Sequence, residues 1–468
     1  MPINSFDNYP MNWKPKKELL QYPYYRSLAE QLEQDIKNGD LAENTKLPPQ
    51  RELADYLDIN FTTVTKAYKL CEEKGVIYAI VGKGTFVSPH IGVRTTVVSQ
   101  KDNSIEMGMV LPFDEDNHII RKLALEILSS SLADQYFDYS FPHGNPFQKK
   151  MVVNWLSDFG CETDAEHILI TAGSQNALSI VMASLFEAGD KIATDCYTYP
   201  NFIGLANMLK IKLIAIPTDN QGMNPIELEK SCRTLGIKGV YLMPSCSNPT
   251  NYSMNIARRE EIAAVIRKHK LLAIEDDSYA FLSEEYHLPI VTLAKENTIY
   301  INGFSKHASS GLRVAALSSP DQFKSPLEQG FYNLNLKTSS LNMEVAARLV
   351  HTGLYKEMLH TKRERSKLRN QHYEEIMGTF PHMIHPYSYF QWLPLPKNCT
   401  GKAFEAMMAT QGVRVYGSER FSLGEIQNNH FARITTSSPQ SIEELRAGLQ
   451  LIKASYLKLL QEDTSLMV

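Results

Sequence analysis

From Ile105 onward, short apolar runs alternate with helical patterns as far as Val314-Ala315-Ala316-Leu317. Ile168-Leu169-Ile170, Lys191-Ile192-Ala193-Thr194, Val240-Tyr241-Leu242-Met243 and Leu272-Ala273-Ile274 each read as a strand, with helix-length stretches between them. That alternation predicts a mostly parallel sheet covered on both faces by helices, in a large domain spanning about residues 120–335. From about Ser340 the pattern changes. Long charged helical stretches such as Leu354 to Met377 lead into a strand-and-helix segment, Gln391 to Ile452, which predicts a smaller C-terminal subdomain over about 340–468.

Each strand-like run is followed by residues suited to one part of a pyridoxal 5'-phosphate site. Thr171-Ala172-Gly173-Ser174-Gln175-Asn176 opens a helical pattern, so backbone N–H groups and small hydroxyls meet at a helix N-terminus that favours a phosphate. Tyr197-Thr198-Tyr199-Pro200 offers an aromatic face on which a flat ring can stack. Asn248-Pro249-Thr250 places an amide at a strand's carboxyl end, where it can donate to a phenolic oxygen. In Glu275-Asp276-Asp277-Ser278-Tyr279 a carboxylate can keep a pyridine nitrogen protonated while the tyrosine reaches the ring oxygen. The stretch Gly303-Phe304-Ser305-Lys306-His307-Ala308-Ser309-Ser310-Gly311-Leu312-Arg313 then supplies an amine to condense with an aldehyde and an arginine to offset phosphate charge. Taken singly, these segments also read as a helix cap, core packing, a turn and a solvated lysine. Their order along one chain is what points to a cofactor.

On these motifs the chain from about Ile105 to its end resembles the fold-type-I aminotransferases, the aspartate aminotransferase superfamily. The resemblance implies Lys306 as the lysine that joins the cofactor, Asp276 as the pyridine-nitrogen partner, Tyr279 and Asn248 as ring-oxygen partners, and Tyr199 as the stacking ring. It implies Gly173, Ser174, Gln175, Ser305 and Arg313 around the phosphate. Arg433, in Phe431-Ala432-Arg433-Ile434-Thr435, would grip the carboxylate of a substrate or effector. Two positions depart from the family: Gly303 stands where serine is often found, and Asn251 where glycine usually follows Asn-Pro-Thr.

The first ninety residues follow another pattern. Leu28, Leu32 and Ile36 mark an amphipathic helix that Gly39 would end, and Pro48 and Pro49 suit the first turn of a second helix through Arg51 to Leu57. Asp58-Ile59-Asn60 makes a turn ending in an N-cap for a third helix from Phe61, with Val64, Ala67, Tyr68 and Cys71 facing inward. Val76 to Val81 and Gly84 to Val87 read as a hairpin wing joined at Gly82-Lys83-Gly84. This segment, residues 22–90, resembles a GntR-type winged helix-turn-helix. The resemblance places Arg51, Lys83 and Gly84 against DNA phosphates, and Thr62, Thr63, Thr65 and Lys66 against base edges. Phe61 stands where the family commonly has arginine. Residues 91–104 show no period and read as a linker, which leaves 105–468 as the cofactor-binding part.

A net charge of −4 gives no sign of a polyanionic partner on its own, and the six cysteines show no paired CxxC spacing, as expected of reduced thiols in the cytoplasm. No metal site is indicated. No stretch is apolar and long enough for a bilayer, so a soluble protein with no membrane partner is expected. The fused arrangement resembles the MocR-type regulators. It implies a homodimer that binds a double-stranded DNA operator and senses pyridoxal phosphate, or a small amine or amino acid, through a body without physiological turnover. The alternatives are a genuine aminotransferase carrying an accessory domain, and a structural DNA-binding protein with a dead catalytic body.

Overall fold

The computed structural model describes residues 11–38, 40–41, 45–73, 76–80, 84–87, 104–380, 382–423 and 430–465. The chain divides into two compact units, a head over Met1–Gln100 and a body over Lys101–Val468. Gly39, Gly82, Lys83 and the linker residues before Ser104 lie outside the described residues.

In the head, α1 (Tyr24–Asn38) buries Leu28, Leu32 and Ile36, one per turn, on the side that meets α3 (Phe61–Glu73). Between them α2 (Gln50–Leu57) starts after the proline pair rather than with it in the first turn, because Pro49 takes the N-cap position with ψ 140°. It stops at Asp58, whose φ of 51° ends the helical path. The Asn60 side chain accepts from the Thr62 backbone N–H at 2.8 Å and so starts α3. Strands β1 (Ile77–Ile80) and β2 (Gly84–Val87) pair antiparallel, Ile77 opposite Val87, as the wing. Val64, Ala67, Tyr68 and Cys71 are all buried in the shared core. Trp13 joins them, so residues ahead of position 22 also pack into this unit.

The body is built on a seven-stranded sheet. Its strands are β3 (Ile168–Thr171), β4 (Lys191–Asp195), β5 (Lys212–Ile216), β6 (Gly239–Leu242), β7 (Leu272–Asp276), β8 (Thr298–Gly303) and β9 (Ala315–Ser318). Their order across the sheet is β3-β9-β8-β7-β6-β4-β5. Pairings are parallel except at β9, which runs antiparallel to both β8 and β3. Every residue of β3, β6, β7, β8 and β9 is buried, which accounts for their largely apolar composition: both faces lie under helices. Helices α4 (Ser174–Leu185) and α5 (Pro200–Met208) leave the carboxyl ends of β3 and, through Tyr197–Tyr199, of β4. Asn248, Asp276 and Lys306 likewise follow the carboxyl ends of β6, β7 and β8, so the topology collects five sequence-distant motifs at one edge of the sheet.

The C-terminal part holds a three-stranded antiparallel sheet in the order β10-β12-β11, where β10 is Phe390–Pro394, β11 Tyr416–Gly417 and β12 Phe431–Thr435. Two long helices, α6 (Leu354–Met377) and α7 (Ile442–Ser465), pack against each other beside it. The short strand Ile105–Glu106 pairs in parallel with Val413–Arg414, and Met107 is buried in the core of this part. The body therefore begins within its C-terminal subdomain. Among the described residues no helix is long and apolar enough to cross a membrane.

Candidate functional site

Burial decides the chemistry of the body's site. Asp276, at the end of β7, is 7 % exposed, and its carboxylate accepts from the Tyr241 hydroxyl at 3.0 Å and the Ser278 hydroxyl at 2.6 Å. Burial pushes its carboxyl above the ordinary range while these two donors oppose the shift. Among the described residues no cation pairs with it, so this buried carboxylate calls for a cationic partner such as a protonated pyridine nitrogen. Phe202 stacks on Tyr241 with centroids 3.8 Å apart and fixes the ring that donates to Asp276.

Lys306 follows β8 within a four-residue helical turn, Phe304–His307. Its ammonium donates to the Val110 carbonyl at 2.8 Å and lies 5.9 Å from the centre of the Tyr279 ring. Burial, then the Arg433 and Arg313 charges, holds its pKa down to about 7, so a large fraction of the amine is neutral and nucleophilic near neutral pH. Tyr389 donates to the Lys306 carbonyl at 3.2 Å and steadies the turn that carries the amine.

A second cluster suits a phosphate. Gly173 caps α4 with φ 92°, and a Cβ there would come 2.5 Å from the Arg313 guanidinium. Arg313, itself at φ 48°, donates to the Ser305 hydroxyl at 3.0 Å. Ser174 shares a hydrogen bond of 3.3 Å with Ser278, and Gln175 has a buried Oε1 with no partner. Gly173, Ser174, Ser305 and Arg313 thus meet although 130 residues or more separate the two pairs. Gly303 is explained by the same crowding: a Cβ there would run into the Ser174 hydroxyl.

Tyr199 precedes Pro200 at the start of α5, accepts from Asn201 at 3.0 Å and has its hydroxyl pushed up to about 12 by burial and by Asp276. Tyr279 is buried edge-on to Phe390, its hydroxyl raised by the same cause. Arg433, on β12, is 3 % exposed; it donates to Asn248 Oδ1 and to the Gly108 carbonyl, each at 2.6 Å, and its Nε has no partner. The faces of Phe421, Phe390 and Tyr416 surround its guanidinium at 4.7, 5.5 and 5.5 Å, and burial lowers its pKa to about 10. Asn251 takes φ 67°, the region in which glycine is at ease, and uses its side chain to donate to the Phe390 carbonyl at 2.8 Å. An unpaired buried carboxylate, a lowered lysine and a glycine cradle backed by arginine fit pyridoxal phosphate.

Every candidate of the body named from sequence lies in this neighbourhood. Sequence reasoning missed Tyr241, Ser278 and Tyr389, and it missed the backbone of Gly108 and Val110. Ser278 sat inside a motif already singled out. Gly108 and Val110 carry no local signal, being 325 and 196 residues from their partners.

In the head, Arg51 lies in the first turn of α2, its guanidinium 5.8 Å from the ring centre of Phe61, the residue that replaces the usual arginine. Thr62 and Lys66 are exposed on α3, and Thr63 and Thr65 are half-buried beside them. Thr65 donates to Gln50 at 2.9 Å, which ties α3 to α2. Gly84 opens β2 with φ 118°, a conformation that suits glycine.

The family described as aminotransferase class I and II matches residues 110–449, and the bacterial regulatory proteins of the gntR family match residues 24–87. The chain is 37 % identical over 459 residues to the uncharacterized HTH-type transcriptional regulator YdeF of Bacillus subtilis, covering 97 % of this chain and 98 % of that protein. It is 23 % identical to the uncharacterized HTH-type transcriptional regulator YjiR of Escherichia coli, over 92 % and 98 % of the two chains. The body shares its fold with LysN, an α-aminoadipate aminotransferase of Thermus thermophilus (TM-score 0.72, 22 % identity, covering 79 % of this chain and 96 % of that one).

Proposed function

The chain belongs to the aminotransferase class I and II family through its body and to the gntR family of bacterial regulatory proteins through its head, the MocR-type combination, and from that membership we propose that the body senses an amine or amino acid and so governs DNA binding by the head. The protein is a DNA-binding transcriptional regulator, and its cofactor is pyridoxal 5'-phosphate. When bound, that cofactor supplies an electrophilic carbon and an electron-withdrawing ring.

The residues divide the work as follows. Lys306 offers its amine for covalent attachment, and its low pKa leaves a large fraction of that amine neutral near neutral pH. Asp276, held by Tyr241 and Ser278, keeps a proton on the ring nitrogen. Tyr199 gives the ring a platform, and Asn248 and Tyr279 serve its hydroxyl. Gly173, Ser174, Gln175, Ser305 and Arg313 hold the phosphate, and Arg433 takes the carboxylate of an amino acid effector. In the head, Arg51 and the wing at Lys83 and Gly84 meet phosphates, while Thr62, Thr63, Thr65 and Lys66 meet base edges. We assign residues 22–90 to the DNA reader, 91–104 to the linker and 105–468 to the sensor, and place the protein in the cytoplasm, where its target DNA lies.

One observation carries the sensing role. The backbone that follows the linker is bonded by the two cations a ligand would engage: Arg433 to Gly108 and Lys306 to Val110. A ligand that claims those cations competes with the segment leading to the head, which gives it different affinities for two arrangements of that segment, the requirement for a switch. A homodimer is supported by Leu125, Leu132, Phe137, Tyr139 and Phe141, large apolar side chains more than half exposed within a short stretch of the body. The test is titration of the yellow holo-protein with a panel of amines and amino acids, read by absorbance and by DNA binding together. An effector moves both. Transamination at an ordinary enzyme's pace with no change in DNA binding would favour the second reading, an aminotransferase with an accessory domain, for which the completeness of the site speaks.

A further inference from the structure

The head carries a feature that the winged helix does not use. Ahead of α1, Asn12-Trp13-Lys14-Pro15-Lys16-Lys17 runs across its surface, its side chains alternating in and out from Asn12 to Lys16 before a helical turn begins at Lys17. Trp13 is 4 % exposed and donates to Asp35 of α1 at 2.8 Å, and Pro15 is also buried. Lys14, Lys16 and Lys17 are exposed. The alternation follows from extended backbone, in which neighbouring side chains leave on opposite faces.

The two ends of this segment reach two different parts of the DNA reader. At one end Asn12 donates to the Lys46 carbonyl at 3.3 Å. Lys46 bridges to Phe86 of the wing, and its side chain lies over the start of β2, where a Cβ on Gly84 would meet Lys46 Cε at 2.8 Å. At the other end Lys17 pairs with Asp58 at 3.1 Å, in the turn between α2 and α3, two residues before the Asn60 that caps the recognition helix. The segment therefore spans from the wing to the helix-turn-helix turn and displays a row of cations along the way.

Charge makes the row significant. Residues 21–90 contain eight Lys and Arg against ten Asp and Glu, an unfavourable balance for a surface that must approach a polyanion. Residues 12–17 contain three lysines and no acid. A strap needs Trp13 and Pro15 on its inner side and the Lys17–Asp58 pair at its end; it has no use for the outward Lys14 and Lys16. Lys14 and Lys16, two residues apart in extended chain, stand roughly 6.6 Å from each other, a spacing suited to neighbouring phosphates on one strand.

We propose that Asn12–Lys17 is a basic arm that binds the phosphate backbone of duplex DNA beside the groove entered by α3. The arm adds affinity without sequence preference, and Trp13 sets its path by anchoring it to α1. This inference rests on the DNA-binding role of the head.

The experiment uses the full-length holo-protein and a mixed-sequence DNA duplex, with affinity measured across a salt series. Replacing Lys14→Gln, Lys16→Gln and Lys17→Gln together should flatten the slope of log affinity against log salt by about 2 to 3 and weaken binding about tenfold or more at low salt. The triple arginine variant at the same positions should keep the wild-type slope. A glutamine variant with an unchanged slope overturns the arm, and so does an arginine variant that loses as much as the glutamine one, since the effect would then be structural. A wild-type protein that binds no duplex at all would instead overturn the DNA-binding role itself.

Discussion

In the body the side chains nearest the implied cofactor are withdrawn from water, Asp276 at 7 % exposure and Arg433 at 3 %, whereas in the head Arg51, Thr62 and Lys66 stand in solvent. The contrast follows from what each region must do. A site that tunes an amine and holds a proton on a ring nitrogen needs low dielectric, because desolvation is what moves Lys306 to about 7 and raises the Asp276 carboxyl. A surface that meets DNA must keep its donors hydrated until contact, and it gains from released counterions rather than from burial. The two regions should therefore fail separately, and by different amounts.

The largest expected effect is at Lys306. Lys306→Ala should abolish covalent attachment of the cofactor and the yellow colour with it, read by borohydride reduction and peptide mapping, while DNA binding persists. Next comes Arg433→Ala, which removes a buried guanidinium. It should weaken the response to carboxylate-bearing amines by about 3 kcal/mol, on the order of a hundredfold, in an absorbance titration, with less effect on amines that lack a carboxylate. Arg51→Ala and Lys66→Ala should each weaken duplex binding by about 1 to 3 kcal/mol by anisotropy, with cofactor content unchanged. If either of those variants lost the cofactor as well, the separation between head and body would be broken.

A smaller effect sharpens the picture within the body. Asn251→Gly relieves a φ of 67° but strips a donor from the Phe390 carbonyl of β10, and the two terms oppose. The lost bond at a buried carbonyl outweighs the relief, so a net loss of about 1 kcal/mol in denaturant unfolding is expected. The pH dependence of cofactor uptake is a further check. The amine attacks only when neutral, so with a folded pKa of about 7 the rate of incorporation into apo-protein should rise with pH up to about 7 and level off above it. A lysine with the ordinary value of 10.5 would keep gaining far into the alkaline range.

Much of the body's site was legible because strand-to-helix transitions carry local signals. Lys306, Asp276, Tyr199 and Gly173 each follow an apolar run, and parallel topology brings the ends of such runs to one edge. The partners that tune them were not legible. Tyr241 reads as one more residue of a buried strand, and nothing near Gly108 announces that its carbonyl meets Arg433. Charge alone does not say which side chains are buried. In helix α6, a long charged stretch in the sequence, Lys362 is fully buried against the Phe113 carbonyl, and Arg369 donates to the carbonyls of Thr436 and Pro439 at 3.0 and 2.8 Å. In the head the helix spacing showed the fold, but nothing near Trp13 announces its burial, because its partner, Asp35, lies 22 residues away.

The most direct test of the account is the affinity of the holo-protein for a duplex that it has itself selected from a random pool, measured with and without each member of an amine and amino acid panel, for wild type and Lys306→Ala side by side. The account predicts that at least one ligand shifts the wild-type affinity, and that Lys306→Ala binds the duplex but is deaf to the same ligand. A shift that survives in Lys306→Ala, or a wild type that transaminates the panel rapidly while its DNA affinity never moves, would contradict it.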